Sequence, residues 1–119
     1  MAVIGFPKRG DIYWANLDPT IGSEISKTRP VLIVSNDINN QFSSTISILP
    51  ITSNVGKIYP FEVLIKAKES GLKTDSKIKA NQIRTLDKVR IGKKIGELPL
   101  NKINDVNISI MIHLGIEKI

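Results

Sequence analysis

The sequence predicts one small, mainly β domain: a curved antiparallel sheet or small barrel completed by a C-terminal helix. Short segments rich in strand-forming residues follow one another, and turn-forming residues separate them. The hydrophobic period changes from two to between three and four residues only near the C-terminus. A chain of 119 residues without repeats or a long linker has room for a single core, so residues 1–119 are expected to form one domain.

Seven segments have strand character, and one short helix interrupts them. The second predicted strand is almost wholly aliphatic, as expected of a strand buried on both faces. Asn36 offers a cap for the short helix. The predicted strands are Asp11–Leu17, Arg29–Ser35, Thr45–Ile51, Phe61–Ile65, Ser76–Lys79, Gln82–Val89 and the short Lys93–Glu97, and the predicted helix is Asp37–Phe42.

The last segment is predicted to be an amphipathic helix. Pro99 suits its start and Gly115 its end. Trp14, in the first strand, is predicted to belong to the core. The apolar residues at helical spacing, expected to face the core, are Ile103, Val106, Ile110 and Leu114.

Composition limits the function classes. The chain has no cysteine and one histidine, His113, which excludes thiolate catalysis, cysteine-based zinc sites and a two-histidine acid–base pair within one chain. Its net charge of +6 and pI near 9.7 fit a polyanionic partner about as well as an ordinary solvated surface. No apolar run approaches the roughly 20 residues that span a bilayer, and residues 1–9 carry no export signal, so a cytoplasmic location is expected.

Arg29 is the first candidate for chemistry, because it stands where a polar loop meets a buried strand. A guanidinium is a planar fork that matches two phosphate oxygens and stabilises added negative charge on phosphorus. An ion pair with Glu24 or Asp37 is the structural alternative. Local sequence alone favours that alternative.

Thr52 is the second candidate, since its hydroxyl lies at a strand end beside a loop, although a turn residue has the same pattern. His113 is interpreted as structural or exposed. Lys77 and Lys79 alternate along one strand, which fits a phosphate-tracking face and a solvated edge equally well. No Walker motif is present, and the acidic residues are too scattered to suggest a two-metal site.

Taken together, several ordered segments resemble the MazF/PemK family of toxin endoribonucleases. No single segment is decisive, but their order over residues 8–88 is specific. The matching segments are KRGDIYWANL from Lys8, GSE from Gly22, RPVLIVSND from Arg29, PITS from Pro50, GL at Gly71, DS at Asp75 and QIRTLDK from Gln82.

The resemblance implies an SH3-like β-barrel of the CcdB/MazF type, a homodimer, and an endoribonuclease that needs no metal or other cofactor. It implies cleavage of single-stranded RNA, messenger RNA among the targets, by attack of the 2′-hydroxyl, so that translation and growth stop. By position it makes Arg29 and Thr52 the catalytic pair. It places near the RNA the residues Ser23, Glu24, Lys27, Asn36, Ser53, Ser76 and Gln82.

Two further expectations come from the resemblance. An acidic antitoxin of the MazE type would cover the basic groove. Asn81 stands where many relatives carry Glu, so the recognised bases cannot be borrowed from them. The alternative is a non-enzymatic, CcdB-like toxin that binds DNA gyrase, which would need no phosphate-cleaving pair.

Overall fold

The computed structural model describes residues 5–116, and its secondary structure follows the predicted order. Two short 3-10 turns, Ala80–Gln82 and Lys88–Arg90, flank β6. The strands are β1 (Asp11–Asn16), β2 (Thr28–Ile33), β3 (Thr45–Thr52), β4 (Glu62–Ile65), β5 (Ser76–Lys79), β6 (Arg84–Asp87) and β7 (Ile91–Glu97). The helices are α1 (Asp37–Phe42), α2 (Ala67–Ser70) and α3 (Leu100–Leu114). Helix α2 lies in a region that the sequence did not predict to be helical.

The sheet is antiparallel, in the order β4-β5-β3-β2-β1-β7. Strand β3 pairs with β6 through its first half and with β5 through its last two residues, while β2 pairs with its middle residues. Strands β5 and β6 follow each other along β3, with the 3-10 turn Ala80–Gln82 between them. Two hydrophobic clusters lie on opposite faces of the central strands.

One cluster lies between the sheet and α3, and the other lies on the opposite face of β1–β3. Three of the four predicted core positions of α3 pack on the first cluster, but the fourth, Leu114, is half exposed and does not belong to it. The first cluster contains Ile12, Leu32, Leu49, Ile51, Val63, Ile65, Ile78, Ala80, Leu98 and Val106. The second contains Ala15, Leu17, Val31, Ile33, Ile46, Ile48 and Leu86.

The predicted fold class is confirmed, although the sheet does not close into a complete barrel, because no ladder joins β4 to β7 within residues 5–116. Helix α2 and its left-handed cap Gly71 occupy that gap and press against Gly96 of β7. On the other side, Lys102 of α3 donates to the carbonyl of Leu64 in β4 at 3.2 Å. The edge strands β4 and β7 are therefore covered by helices and do not pair with each other.

No helix in residues 5–116 combines the length and the apolar character that crossing a bilayer requires.

Candidate active site

The ends of β2 and β3 bring Arg29 and Thr52 onto neighbouring strands. The ladder sets Val31 opposite Pro50 and Leu32 opposite Leu49. The ladder ends at the Val31–Pro50 pair, and Arg29 and Thr52 each lie two residues beyond it in the same strands. Adjacent strands are about 4.8 Å apart, so side chains at such positions reach a common ligand. The two residues therefore lie at the same end of the β2–β3 pair, which we call the rim.

Arg29 presents much of its guanidinium to ligand. The half-buried side chain donates from Nε to the carbonyl oxygen of Ser26 at 3.1 Å, which fixes the plane of the group. Its Nη groups donate to no residue in the described part of the chain. The ion pairs with Glu24 and Asp37 that the sequence left open do not form among these residues. A fixed fork with free donors suits a phosphate.

Thr52 ends β3 and is half-buried. Its Oγ1 accepts a hydrogen bond from the backbone N–H of Asn54 at 3.1 Å, which turns the chain into the following loop. A hydroxyl that accepts one bond still has its own proton to donate. Thr52 therefore serves the turn and remains able to donate to an anionic oxygen.

Two openings lie at this rim, one beside Arg29 and one beside Thr52, and we name them the apolar groove and the basic cleft. The groove, of about 450 Å³, includes Arg29, and the cleft, of about 390 Å³, includes Thr52. The apolar groove is lined by Trp14, Thr28, Arg29, Pro30, Ile51, Ser53, Gly71, Leu72, Lys73, Thr74, Ser76 and Ile95. The basic cleft is lined by Ser23, Ile25, Thr52, Asn54, Gly56, Lys57, Tyr59, Lys77, Lys79 and Gln82.

Trp14 belongs to the apolar groove, so its predicted place in the core is wrong. It is 41% exposed, and Pro30 is its partner across the β1–β2 ladder. Ile12, two residues earlier on the same face, is fully buried. The alternation of residues in β1 predicted that Trp14 shares a face with Ile12. It did not show that this face is covered at Ile12 and open at Trp14.

Gln82 holds the loop between β1 and β2. Its Oε1 accepts the N–H of Ile25 at 2.8 Å, and its Nε2 donates to the carbonyl of Ser23 at 3.3 Å. Ser23 and Glu24 are both exposed on this loop, and the Glu24 carboxylate accepts the N–H of Ile21. Gln82 was predicted to contact RNA, and here its amide positions the loop that carries two other predicted contacts.

The remaining predicted RNA contacts divide between the rim and the far end of β2. Lys27 is exposed at the turn before Arg29, with a positive φ of 72°. Ser53 is exposed and Ser76 is buried, and both line the apolar groove. Asn36 caps α1 by accepting the N–H of Asn39 at 2.8 Å. It follows Arg29 by seven residues of largely extended chain, roughly 20 Å, and so lies away from the rim.

Asn81 has an unsatisfied acceptor. Its Oδ1 is buried and has no hydrogen-bond partner among the described residues. The side chain lies in a depression of about 330 Å³ with Ser23, Glu24 and Gln82. An unpaired buried acceptor costs about 1–3 kcal/mol, so a ligand donor at this position would be favoured.

Sequence reasoning left the roles of Lys77 and Lys79 open and did not identify Glu62. Glu62 is 5% exposed and accepts from Lys77 at 3.0 Å and from Lys79 at 2.8 Å. Burial raises the pKa of its carboxyl. The hydrogen bonds from Lys79, from the backbone N–H of Tyr59 and from Lys77 together lower the pKa by more, so the net pKa lies below the ordinary value. Only the tertiary pairing of β4 with β5 reveals this cluster.

The lowered pKa of Glu62 predicts a specific loss of stability in acid. Since the folded pKa lies below the unfolded one, the stabilisation is fully present above pH 4.5, the ordinary value, and is lost as pH falls through the folded pKa. Urea unfolding between pH 3 and 7 should show this loss in the wild type and a flatter profile in Glu62→Gln. Asp105→Asn, an exposed carboxylate on α3, serves as the control. Parallel profiles for wild type and Glu62→Gln would contradict the assignment.

Comparison with known proteins identifies the family of the chain. Residues 8–114 match the family described as PemK-like, MazF-like toxin of type II toxin-antitoxin system. The chain is similar to endoribonuclease EndoA of Bacillus subtilis (strain 168), with 43% identity over 110 residues covering 92% of this chain and 95% of that protein. It is also similar to endoribonuclease MazF9 of Mycobacterium tuberculosis (strain ATCC 25618 / H37Rv), with 36% identity over 114 residues covering 92% and 97%.

A solved endoribonuclease in complex with its cognate antitoxin, from a mycobacterial species, has the same fold. The TM-score is 0.79 at 26% sequence identity, covering 95% of this chain and 99% of that one. These similarities confirm the family resemblance and the fold class predicted from the sequence.

Proposed function

The chain belongs to the PemK-like, MazF-like toxins of type II toxin–antitoxin systems, and from this premise we propose that it is an endoribonuclease that cleaves single-stranded RNA at short sequences without a metal ion. The relatives named endoribonuclease support the reaction class. The observation that carries the proposal is the placement of Arg29 and Thr52 on adjacent strand ends. Cleavage of messenger RNA by this enzyme would inhibit translation and arrest growth.

The reaction is an internal transfer on phosphorus. The 2′-oxygen forms a bond to phosphorus as the bond from phosphorus to the 5′-oxygen breaks. The products are a 2′,3′-cyclic phosphate and a 5′-hydroxyl. The proton lost by the 2′-hydroxyl balances the proton gained by the 5′-oxygen, so no water is consumed in this step.

Arg29 and Thr52 would act on the charge that builds up in this reaction. The free Nη donors of Arg29 would hold the non-bridging oxygens, whose charge increases in the pentacoordinate transition state. The hydroxyl of Thr52 would donate to the same phosphate and orient it for in-line attack. Both side chains are anchored to the backbone, which lowers the cost of ordering them during the reaction.

End mapping tests the proposal. Purified protein is incubated with a long single-stranded RNA in excess EDTA, and the new ends are mapped. We expect cleavage at a few sites with 5′-hydroxyl and cyclic-phosphate ends. Cleavage that EDTA abolishes would contradict the metal-independent mechanism. Growth arrest by an Arg29→Ala protein with cellular RNA intact would support the gyrase-binding alternative instead.

Asn81 is expected to influence which sequence is cut. A carboxylate in Asn81→Glu accepts hydrogen bonds only, whereas an amide both donates and accepts, so the preferred base edge should change. Sequencing of cleavage sites in a random RNA pool should show a change at one position of the recognised sequence, by about tenfold. Asn104→Asp, which also replaces an amide by a carboxylate but lies on the exposed face of α3, is the control. An unchanged site profile in Asn81→Glu would exclude Asn81 from base recognition.

We further propose that an acidic antitoxin restrains the enzyme in the cytoplasm, where its RNA substrate is found. The solved relative bound to its cognate antitoxin supports this partner. An acidic extended segment would compete with RNA for the basic cleft and the rim.

Two copies of the chain are proposed to associate, as the resemblance implies. Ile108 and Ile112, one turn apart on α3, are 57% and 50% exposed, and a second copy would cover such apolar surface.

A further inference from the structure

The basic cleft contains more positive charge than its structural role requires. One buried carboxylate, Glu62, is in contact with two ammonium groups, Lys77 and Lys79. A buried charge needs one partner of opposite sign, and each additional charge taken out of water costs free energy unless it is compensated. The group therefore retains an excess positive charge, and the side chain of Lys77 is 9% exposed.

The hydrogen bonds of the cluster leave donors free. Lys77 donates to Glu62 at 3.0 Å and to the carbonyl of Lys57 at 3.1 Å, so one of its three protons remains. Lys79 donates to Glu62 at 2.8 Å, which leaves two protons, and its side chain is 20% exposed. Glu62 fixes both ammonium groups without using up their capacity to donate.

A third cation is held at the mouth of the same cleft. The ammonium of Lys57 lies 5.1 Å from the centroid of the Tyr59 ring. Tyr59 in turn is stacked on Phe61, with centroids 5.5 Å apart and an angle of 1° between the planes. A rigid aromatic pair thus positions Lys57, whose backbone carbonyl already accepts a bond from Lys77.

The cluster stands directly beside Thr52. Thr52 and Lys77 are partners across the β3–β5 ladder, so their side chains leave the sheet on the same face. Lys79 lies two residues further along that face, opposite Glu62 of β4. The cations therefore extend from the reacting position along β5.

We propose that Lys57, Lys77 and Lys79, positioned by Tyr59 and Glu62, form a subsite that binds the RNA phosphate adjoining the cleaved one. This inference rests on the proposed function and adds a binding role for residues outside the catalytic pair. Its ligand is a backbone phosphodiester, which carries no base information, so the subsite contributes affinity and register rather than sequence preference. Glu62 acts as a positioning residue.

Binding of a non-cleavable RNA tests the subsite. The probe is a single-stranded oligoribonucleotide that spans a mapped cleavage site, with 2′-deoxyribose at the attacking nucleotide. We expect Lys57→Gln plus Lys79→Gln to weaken binding by about tenfold and to reduce the slope of log K against log salt by about 0.7, the value for one lost phosphate contact on a single strand. Lys93→Gln is the matched control, because Lys93 is exposed on β7 at the far edge of the sheet.

Phosphate-by-phosphate neutralisation locates the subsite. Each probe carries one uncharged methylphosphonate in place of one phosphate, at successive positions. At the position next to the cleaved bond, this replacement should weaken binding to wild type but should not further weaken binding to the double variant. Glu62→Gln adds positive charge, so simple attraction predicts tighter binding, whereas lost positioning predicts weaker binding, which is the result we expect. Melting temperatures confirm that each variant is folded.

The outcomes separate this inference from the proposed function. If wild type cuts RNA but the double variant binds the probe like Lys93→Gln, the subsite is overturned and the enzyme stands. If the double variant loses binding only to an acidic antitoxin peptide, the cleft is a protein interface and the inference is also overturned. If wild type cuts no RNA, the proposed function fails first.

Discussion

Arg29→Ala is expected to slow RNA cleavage by about 10²–10³-fold, the range found when one preorganised donor to a developing oxyanion is removed. The loss should appear in single-turnover cleavage, since the Nη donors contact the phosphate most strongly when its charge peaks. Arg29→Lys should recover only a small part of the rate, because an ammonium keeps the charge but not the planar fork.

Two controls distinguish chemistry from folding in this experiment. Arg29 also donates to the carbonyl of Ser26, so the variant must be shown to melt within a few degrees of wild type. Lys93→Ala removes one exposed positive charge on β7 and should leave the cleavage rate nearly unchanged. A folded Arg29→Ala protein that cuts RNA at the wild-type rate would remove Arg29 from the mechanism.

Gly96→Ala is expected to destabilise the fold strongly. A Cβ at Gly96 would overlap the carbonyl oxygen of Ser70, and one at Gly71 would stand 2.7 Å from the carbonyl oxygen of Ile95. These atoms are backbone and cannot rotate away, so strand β7 must separate from α2. We expect a cost of about 2–3 kcal/mol, measured by urea unfolding.

The position of this contact links stability to the site. Gly71 and Ile95 both line the apolar groove, so displacement of β7 should also alter the wall opposite Trp14. Gly5→Ala is the matched control, because a Cβ there would meet nothing within 4 Å. If Gly96→Ala unfolds at the same urea concentration as Gly5→Ala, the close approach of β7 to α2 is not present in solution.

Local patterns were sufficient to predict the strands and their order. The structure confirms two predictions of this kind: the aliphatic run of β2 forms a strand, and the three- and four-residue spacing of apolar residues forms the helix α3. The sequence patterns did not show which apolar residues at the edges of the sheet and at the end of α3 remain exposed. Leu114 and Trp14 have the spacing of core residues, yet they are 52% and 41% exposed.

The candidate site could be predicted from the sequence only in part, because tertiary pairing of the strands brings its residues together. Arg29 and Thr52 are assigned through family position, and their place at the same end of the paired strands β2 and β3 follows from the tertiary structure. Lys77 and Lys79 showed only an alternation that fits a solvated edge equally well. The role of these lysines depends on Glu62, which is 15 residues away from Lys77 in sequence. The β4–β5 pairing sets Glu62 opposite Lys79 and within hydrogen-bond distance of Lys77.

The central claim is that Arg29 and Thr52 act on one phosphate, and a double-mutant cycle tests it most directly. Single-turnover cleavage rates are measured for wild type, Arg29→Ala, Thr52→Ala and the double variant on one mapped RNA site. Residues that act as a unit are strongly non-additive, so we expect the double variant to be about as slow as the slower single variant. A double variant slowed by the full product of the two single losses would show that the residues act independently.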